Sequence, residues 1–304
     1  MDRLERCAVF VAALSLAGCD EAGHEEGLSG LIELDGSSTV FPISQAMAEE
    51  FQIAHGRTVR VSVGVSGTGG GFQRFCNGET DISNASRPIN ETEAASCAAE
   101  GIAPLELQIA WDGLTVVAHP SNDWVGCMTV AELRRIWAPG SELERWSQIR
   151  PGWPDRELDL YGPDTDSGTF DYFTAAVVGD ASASRHDYTA SADDNVLVAG
   201  VSGDPGALGY FGYAYFEENQ DQLRAVEIDG GDGCVAPSRE TIVDGTYTPL
   251  ARPMYIYVRR DALDRAEVRA FVGFYIDNAA ALVPETGYIP LEPEAYAEVR
   301  ARID

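Results

Sequence analysis

The chain has 304 residues, of which 45% are hydrophobic, and it carries a formal net charge of −28 at pH 7. This length is enough for one large domain or two smaller ones with a real core, and the hydrophobic content is that of a globular protein. The strong negative charge argues against nucleic acid and anionic membrane surfaces as partners. It does not exclude an anionic ligand, because ligand sites are built from local dipoles rather than from net charge.

The N-terminus has the pattern of an export signal. Two arginines precede an apolar run over residues 7–16, which is too short to span a bilayer as a mature helix. The run ends in Leu-Ala-Gly-Cys at Cys19, which is similar to a bacterial lipoprotein box whose cysteine carries the lipid. We predict a signal peptide over residues 1–18 and a polar tether over residues 19–30. The alternative is an ordinary secretory signal in which Cys19 is incidental.

Strand and helix patterns alternate in the first part of the body. A short strand over residues 31–34 leads into a Gly-Ser-Ser-Thr turn, and apolar residues then recur at helical spacing from Val40 until Gly56 ends the helix. The segments VRVSVGV, DISNAS and GLTVVAH have strand patterns. Between the first two, SGTGGGFQRFCNG is a turn of small residues that enters a helix.

The alternation continues to the C-terminus. MTVAELRRIWA is amphipathic with Thr129 as its predicted N-cap, LDLYG is a strand, and SGTFDYFTAAVV is a helix. GALGYFGYAYF reads as a strand followed by a helix, RPMYIYVRR as a strand and AEVRAFVGFYIDNAAAL as a long helix. These patterns predict an α/β fold with largely parallel sheets.

Three segments share one design, in which a strand is followed by a turn of Ser, Thr and Gly and then by a helix. They are LDGSSTVF, GVSGTGGGF and DTDSGTFDYF. Each would present free backbone N–H groups and hydroxyls at a helix N-terminus, which suits a tetrahedral oxyanion. For any single turn an ordinary N-cap is an equally good interpretation. None of the three matches a P-loop or the G-x-G-x-x-G spacing, so nucleotide binding is unsupported.

The cysteine count agrees with export. When Cys7 and Cys19 are set aside, an even number remains, which suggests two disulfides in an exported chain. Four cysteines allow three pairings, and four buried thiols are the alternative. These remaining cysteines are Cys76, Cys97, Cys127 and Cys234. A metal site is not expected, because no pair has C-x-x-C spacing and the four histidines are scattered.

Taken together, the segments resemble one known family. GSSTVFPISQAMAEEF, GVSGTGGGFQRFCNGETDISNASRPI, AWDGLTVV, DSGTFDYF, GALGYFGYAYF and RPMYIYV are similar, in the same order, to motifs of the phosphate-binding lipoproteins of the bacterial phosphate-specific ABC transporter. The resemblance runs from about residue 31 to the C-terminus. It is more specific for the family than for the ligand, because related proteins bind other oxyanions.

The resemblance implies a two-lobed periplasmic-binding-protein fold of type II, with the ligand in the cleft between the lobes. Lobe one would comprise residues 31–113 plus 252–304, and lobe two residues 114–251, with AWDGLTVV and RPMYIYV as the two crossings. The pairing Cys76–Cys97 and Cys127–Cys234 keeps each disulfide inside one lobe. A disulfide across the lobes would obstruct their closure.

The resemblance also implies a set of ligand contacts. The first turn would contribute Ser38, Thr39 and the N–H of Val40, the second Thr68 and Gly69, and the third Ser167, Gly168 and Thr169. The segment NASRPI places Ser86 and Arg87 at a strand end, where relatives have ligand contacts. Arg87 is the cation expected to grip two oxygens of the anion, and a surface arginine before Pro88 is the alternative.

A carboxylate in the site would distinguish phosphate from sulfate. Phosphate keeps a proton near neutral pH that a carboxylate can accept in a hydrogen bond, whereas sulfate meets only repulsion. We rank Asp112 first for this role because it lies at a lobe crossing, Asp166 second and Asp81 third. Capping of the following helix explains Asp166 at least as well. Trp111 is a candidate floor of the cleft or an ordinary core tryptophan.

The resemblance therefore predicts an exported, lipid-anchored monomer that binds inorganic phosphate and passes it to ABC permease subunits without a cofactor. Alternatives are a binding protein for sulfate or molybdate and a phosphate sensor or adhesin without a transporter. A secreted phosphoester hydrolase with Ser167 or Ser38 as nucleophile is a further alternative. It has little support, because no histidine, metal-ligand cluster or G-x-S-x-G lies near either serine.

Overall fold

The strands alternate with helices for most of the chain. The structure, a computed structural model, describes residues 28–165 and 167–303. Within these residues the strands are β1 (Gly30–Gly36), β2 (Val59–Val63), β3 (Ile82–Ala85), β4 (Pro104–Ala118), β5 (Cys127–Thr129), β6 (Asp159–Pro163), β7 (Thr189–Ser191), β8 (Ala207–Gly212), β9 (Arg224–Ala225), β10 (Glu227–Asp229), β11 (Cys234–Val235), β12 (Ala251–Arg259) and β13 (Ile289–Pro290).

The helices of the described residues are short except for the first and the tenth. They are α1 (Phe41–Ala54), α2 (Gly67–Cys76), α3 (Glu91–Ala99), α4 (Val130–Trp137), α5 (Trp146–Ile149), α6 (Gly168–Phe173), α7 (Asp194–Gly203), α8 (Tyr213–Glu218), α9 (Arg239–Val243), α10 (Ala266–Glu285) and α11 (Pro293–Arg300). A π-helical turn, Thr174–Val178, continues α6, and a 3-10 helix, Asp261–Asp264, precedes α10. None of these helices is both long and apolar enough to cross a membrane.

One large sheet runs through the molecule in the order β2-β1-β3-β12-β4-β8-β6-β7. The strands that alternate with helices pair in parallel, as expected: β1 with β2 and β3, and β6 with β7 and β8. The central strands differ, because β12 runs antiparallel to β3 and β4, and β4 runs antiparallel to β8. The expectation of largely parallel sheets is therefore wrong for the middle of the sheet. A strand pattern carries no information about direction.

Strand β4 connects the two ends of this sheet. Its first part, from Pro104 to Gly113, pairs with β12, and its last part, from Leu114 to Ala118, pairs with β8. Because all of its 15 residues belong to one strand, the chain passes from one sheet region to the other without a loop. Segment 251–259 returns alongside it as β12.

Two large hydrophobic cores lie on either side of this crossing. One is built from residues between Ile32 and Ala110 and between Met254 and Ile303, and we call the surrounding region the first lobe. The other is built from residues between Leu114 and Leu250 together with Ile289, and it defines the second lobe. Trp111 packs against both cores, so it lies at the junction. The α/β fold with two lobes is the architecture that the resemblance implied.

The local predictions agree well with the helices and strands observed. Helix α1 ends at Ala54, two residues before Gly56, and the predicted strands correspond to β1, β2, β3, β4, β6, β8 and β12. Thr129 is the N-cap of α4, and its hydroxyl accepts the N–H of Glu132 in a capping box. Helix α3 was not predicted, although Asn90 and Glu93 form a second capping box at its start.

Each of the two disulfides lies within a single lobe. Cys76, at the end of α2, bonds to Cys97 in α3, and Cys127 in β5 bonds to Cys234 in β11. This is the pairing favoured from the resemblance. The signal peptide and Cys19 lie outside the described residues.

Candidate functional site

The first Ser-Thr turn joins β1 to α1. The Ser37 carbonyl accepts the N–H of Phe41 at 3.0 Å, so the chain turns directly into the helix. The N-cap, Val40, has no side chain that could cap the first turn. In the described part of the chain, the backbone N–H groups of Ser38, Thr39 and Val40 donate to no other protein group. These donors are therefore free for a ligand.

The second turn brings α2 close to β1. Gly67 has φ +75°, which favours glycine, and it is the first residue of α2. A Cβ on Gly71 would lie 2.5 Å from the Cα of Gly36, so only glycine allows the helix to approach this closely. Next to this helix start, the hydroxyls of Thr68 and Ser86 are hydrogen-bonded at 3.1 Å. Two of the predicted contacts thus lie side by side.

The third turn comes from the second lobe and touches the first. Ser167 caps α6, because its hydroxyl accepts the N–H of Thr169 at 3.1 Å. A Cβ on Gly168 would lie 3.0 Å from the backbone nitrogen and Cα of Thr39. The Thr39 hydroxyl also donates to the Gly168 carbonyl at 3.5 Å. A glycine is therefore required where the two lobes meet.

All three turns line one cavity of about 200 Å³, which we call the central cavity. Its walls combine hydroxyls and helix starts of the first lobe with the α6 region of the second lobe and one arginine. The lining residues are Ser37, Ser38, Thr39, Gly67, Thr68, Ser86, Gly168, Asp171, Tyr172, Ala175, Ala181 and Arg252. The convergence predicted from the three turns is thus present in the structure.

Among the described residues that line this cavity, the cation is Arg252, which was not among the predicted site residues. It lies near the start of β12, and its side chain is 16% exposed. One guanidinium nitrogen donates to the Thr39 hydroxyl at 2.8 Å, and Nε donates to Asp112 at 3.0 Å. The guanidinium carbon lies 3.6 Å from the centre of the Tyr172 ring, a cation–π contact to the second lobe.

Asp112 lies behind Arg252 rather than in the cavity wall. Its side chain is 3% exposed, and its carboxylate forms an ion pair with Arg252 at 3.0 Å. Burial raises the pKa of Asp112, and Arg252 offsets part of that rise. The carboxylate fixes the orientation of the guanidinium. A direct contact between Asp112 and a ligand remains a prediction.

Arg87 occupies a different position, at the rim. It lines a neighbouring cavity but not the central one, and its side chain is 42% exposed. Two of its nitrogens donate to the two carboxylate oxygens of Glu93, at 2.7 and 2.8 Å. Its guanidinium is also 5.7 Å from the ring centre of Phe72. The expected grip of Arg87 on a ligand stays a prediction, and in this structure Glu93 holds the guanidinium.

Among the described residues, the carboxylate that lines the central cavity is Asp171, in the first turn of α6. One of its oxygens accepts the hydroxyl of Ser182 at 2.6 Å. It lies within DSGTFDYF, where the pattern predicted only a helical position for it. The next residue, Tyr172, donates to the Pro249 carbonyl at 2.8 Å, and burial raises the pKa of its phenol. Tyr172 is therefore neutral, and it does not oppose an anion.

The other predicted site residues lie around the central cavity. Ser167 and Thr169 line an adjacent cavity of about 550 Å³ that shares Ser38 and Gly168 with the central one. Gly69 is exposed on α2. Asp81 is buried away from the site, where it accepts hydrogen bonds from Arg265 at 2.7 Å and from the Glu33 N–H at 3.1 Å. Asp166 falls outside the described residues.

The central cavity has the properties of an oxyanion site. Its donors are hydroxyls, helix-start N–H groups and one guanidinium whose charge is balanced by a buried carboxylate. Such donors bind a small anion without placing a large excess of positive charge in the cleft. Donors from both lobes meet here, so an anion bound between them would hold the lobes together.

Comparisons with known proteins agree with this geometry. A family model described as a PBP superfamily domain matches residues 22–279. The chain is 47% identical over 301 residues to the protein SphX of Synechocystis sp., covering 97% of this chain and 88% of that protein. It is 36% identical to the phosphate-binding protein PstS of Staphylococcus saprophyticus, covering 96% of this chain and 91% of that one.

A solved structure is similar along nearly its full length. The crystal structure of a possible phosphate binding protein from Planctomyces limnophilus superposes with a TM-score of 0.87 at 51% identity, covering 91% of this chain and 98% of that chain. The family match, the sequence identities and the two-lobed fold all assign the chain to the same family. The chain belongs to the PBP superfamily, in the family of the protein SphX and the phosphate-binding protein PstS.

Proposed function

We propose that the protein binds inorganic phosphate in the central cavity and delivers it to an ABC importer. The observation that carries this proposal is the meeting of three helix-start turns and Arg252 in one cavity between the lobes. The relatives named as phosphate-binding proteins support phosphate as the ligand. Thr39 and Gly168, which touch across the lobes, would close around the anion.

The donors would act in two groups. The hydroxyls and N–H groups of Ser38, Thr39 and Thr68 would bind oxygens from the first lobe, and Gly168 would approach from the second. Arg252 would supply a charged hydrogen bond, which is worth about 1.5–3 kcal/mol. The hydrogen bond to Asp112 and the cation–π contact with Tyr172 would keep the guanidinium of Arg252 in place before the anion arrives. Arg87 would contact the anion only after its guanidinium leaves Glu93.

Asp171 is our proposal for the carboxylate that selects phosphate. Its position in the wall of the central cavity supports it, whereas Asp112 is occupied by Arg252. A carboxylate at 4 Å from a fully charged oxyanion costs about 4 kcal/mol at an effective dielectric of 20, which is roughly a thousandfold in affinity. A protonated phosphate would instead donate a hydrogen bond to Asp171.

The remaining assignments concern the whole protein. We propose lobes over residues 31–113 plus 252–304 and 114–251, a signal peptide over residues 1–18 and a lipid anchor at Cys19. The protein would act as an exported monomer that meets permease subunits at the membrane. Labelling with a radioactive fatty acid tests the anchor: the label should disappear in Cys19→Ala, and persistent labelling would refute it.

A phosphoester hydrolase remains the alternative from another class. The Ser167 hydroxyl accepts the N–H of Thr169, as a helix cap does. Among the described residues no histidine is hydrogen-bonded to Ser38 or Ser167, so neither hydroxyl has an activating base of that kind. Turnover of a chromogenic phosphate ester that is lost in Ser167→Ala would favour this alternative.

Titration calorimetry of the exported protein with phosphate, sulfate, arsenate and molybdate tests the proposal. We expect saturable heat with phosphate at micromolar protein and a much weaker response to sulfate and molybdate. The absence of phosphate binding, or a preference for sulfate or molybdate, would overturn the proposed ligand. Sulfate or molybdate preference would leave the oxyanion site itself in place.

A further inference from the structure

Asp171, in the wall of the central cavity, is held by an exposed residue of a nearby loop, Ser182. The Ser182 hydroxyl donates to one Asp171 oxygen at 2.6 Å. Among the described residues no other group donates a hydrogen bond to this carboxylate. The two residues are 11 positions apart, so the contact comes from the loop that follows the π-helical turn rather than from α6 itself. The orientation of the Asp171 side chain therefore depends on where this loop places one hydroxyl.

A second hydrogen bond fixes the same loop residue against α6. The Ser182 N–H donates to the Thr174 hydroxyl at 2.9 Å, and that hydroxyl donates in turn to the Phe170 carbonyl at 2.9 Å. Thr174 is fully buried, so water does not compete for this contact. Because the backbone and the side chain of Ser182 are both bonded to one helical segment, its hydroxyl has little freedom to leave Asp171.

The backbone of Ser182 adopts a conformation that is costly for serine. Its φ is +64°, in the left-handed region that glycine occupies most readily. Gly179, earlier in the same loop, has φ +94° and is the residue type expected there. Ser182 is exposed, so packing of its side chain does not offset the cost. A costly conformation maintained beside a ligand cavity indicates a functional constraint, and the contact that it secures here is the hydrogen bond to Asp171.

The loop is also anchored to the core of the second lobe. Ser184 and Arg185 are buried, and both donate to the Trp137 carbonyl at the end of α4, the Ser184 hydroxyl at 3.3 Å and the Arg185 N–H at 3.0 Å. These contacts, like the one between Ser182 and Asp171, lie within one lobe. They would therefore persist when the lobes separate, and the carboxylate would be oriented before an anion arrives.

We propose that Ser182 is a positioning residue that determines the preference of the site for phosphate over sulfate. This inference rests on the proposed function, in which Asp171 faces the anion. The Ser182 hydroxyl occupies one carboxylate oxygen and leaves the other for the ligand. A protonated phosphate donates to that oxygen, whereas sulfate has no proton to donate and is repelled. Without the hydroxyl the carboxylate would turn away for part of the time, so the acceptor and the repulsion would weaken together.

Ser182→Ala tests this role, with competition calorimetry of phosphate and sulfate as the measurement. Alanine keeps the Cβ, and with it the backbone cost, and removes only the hydroxyl. The ratio of phosphate to sulfate affinity should fall by about three- to tenfold, less than in Asp171→Asn, because the carboxylate remains and only its orientation is lost. Ser147→Ala is the matched control and should leave the ratio unchanged, since Ser147 donates to Asp155 at 3.0 Å and neither residue lines the central cavity.

Two further variants separate selectivity from stability. Ser182→Gly also lacks the hydroxyl but adopts the left-handed conformation without strain, so it should unfold at a higher temperature than Ser182→Ala and show the same fall in the ratio. Adding Ser182→Ala to Asp171→Asn should change the ratio by less than about twofold, because the hydroxyl acts through the carboxylate.

The outcomes distinguish this inference from the proposed function. An unchanged ratio in Ser182→Ala and Ser182→Gly, with a lowered ratio in Asp171→Asn, would overturn the inference and leave the role of Asp171 in place. A fall that persists in the Asp171→Asn background would also overturn it. No effect of Asp171→Asn would refute the selecting role of that carboxylate and this inference with it, whereas absence of phosphate binding would refute the proposed function. If Ser182→Ala does not fold, the glycine variant decides.

Discussion

The two arginines beside the cleft occupy contrasting surroundings. Arg252 is 16% exposed and is paired with a carboxylate, Asp112, that is itself buried, while Arg87 is 42% exposed and is paired with Glu93 at the rim. The two carboxylates also differ, because the pKa of Asp112 is raised by its burial and that of Glu93 is lowered by its hydrogen bonds. Interior placement with a fixed partner makes Arg252 the better prepared anion ligand.

The comparison also shows what a sequence motif does and does not locate. Arg87 follows a recognisable strand end in NASRPI, and it lies near the cleft as the motif suggests. Arg252 begins RPMYIYV, which was quoted for the family resemblance and as a lobe crossing, but no turn of Ser, Thr and Gly beside it marks a ligand contact. It reaches the cavity only because β12 returns beside β4, 140 residues after Asp112. A guanidinium that reaches a site through the pairing of strands distant in sequence cannot be identified from its sequence neighbours.

Replacing Arg252 should have the largest effect. Arg252→Gln removes the one charged donor that the described residues contribute to the central cavity. It should weaken phosphate binding by about 100-fold, the equivalent of about 2.7 kcal/mol. Calorimetry measures the affinity, and thermal unfolding shows whether the fold survives the loss of the Asp112 partner.

Two variants make this result specific. Arg252→Lys keeps the charge but loses the planar fork, so its affinity should lie between those of the unaltered protein and Arg252→Gln. Arg150→Gln removes an arginine paired with Glu132, away from the cavities, and should leave phosphate affinity unchanged. A weakening of less than about threefold in Arg252→Gln would mean that the guanidinium does not contact the anion.

Replacing each carboxylate in turn should show which of Asp171 and Asp112 selects phosphate over sulfate. Asp171→Asn should reduce the ratio of phosphate to sulfate affinity by about 10-fold or more, because the repulsion of sulfate disappears. Asp112→Asn should alter both affinities by the same factor, since its carboxylate acts through Arg252. Competition calorimetry with the two anions measures the ratio. A changed ratio in Asp112→Asn only would restore Asp112 as the selecting carboxylate.

Replacing Arg87 should have a smaller effect than replacing Arg252. In Arg87→Gln we expect phosphate to bind less than about tenfold more weakly, because solvent screens the exposed Arg87–Glu93 pair and Glu93 already occupies the guanidinium. The same calorimetric titration provides the measurement. If Arg87→Gln lost as much as Arg252→Gln, the two arginines would share the anion and the contrast between them would not hold.

The smallest expected effect is the pH dependence of the rim pair. Burial tends to raise the pKa of Glu93, but the hydrogen bonds from Arg87 and Asn90 outweigh it and lower the pKa below the ordinary value of 4.5. A lowered carboxylate pKa stabilises the fold above the unfolded pKa, and that contribution is lost as the pH falls through the folded pKa. Glu93→Gln should therefore be less stable by up to about 1 kcal/mol at pH 7.

Stability measured at low pH distinguishes the loss of the Arg87–Glu93 pair from a general loss of packing. Urea unfolding at pH 7 and at pH 3 should show a difference between Glu93→Gln and the unaltered protein only at the higher pH. Glutamine keeps an acceptor for the Asn90 N–H, so the start of α3 is preserved. An equal difference at both pH values would show that the pair itself contributes nothing.

Most of the architecture could be predicted from local patterns, and the missing parts have physical reasons. The three turns were visible because Ser, Thr and Gly at a helix start have a local cause, the unpaired N–H groups. Strand direction in β12 and β4 was not, because direction depends on partners far along the chain. Asp171 was overlooked because a carboxylate in the first helical turn has an ordinary explanation, and only the cavity shows that it faces the site.

The disulfides decide which chemical labels can report on the cleft. In the described residues all four cysteines are bonded in pairs, and the sequence contains 21 arginines and no lysine. A thiol introduced by Ala181→Cys in the wall of the central cavity would thus be a single reactive group in that part of the chain. An environment-sensitive dye attached there would convert occupancy of the cleft into a fluorescence signal without competing lysine amines.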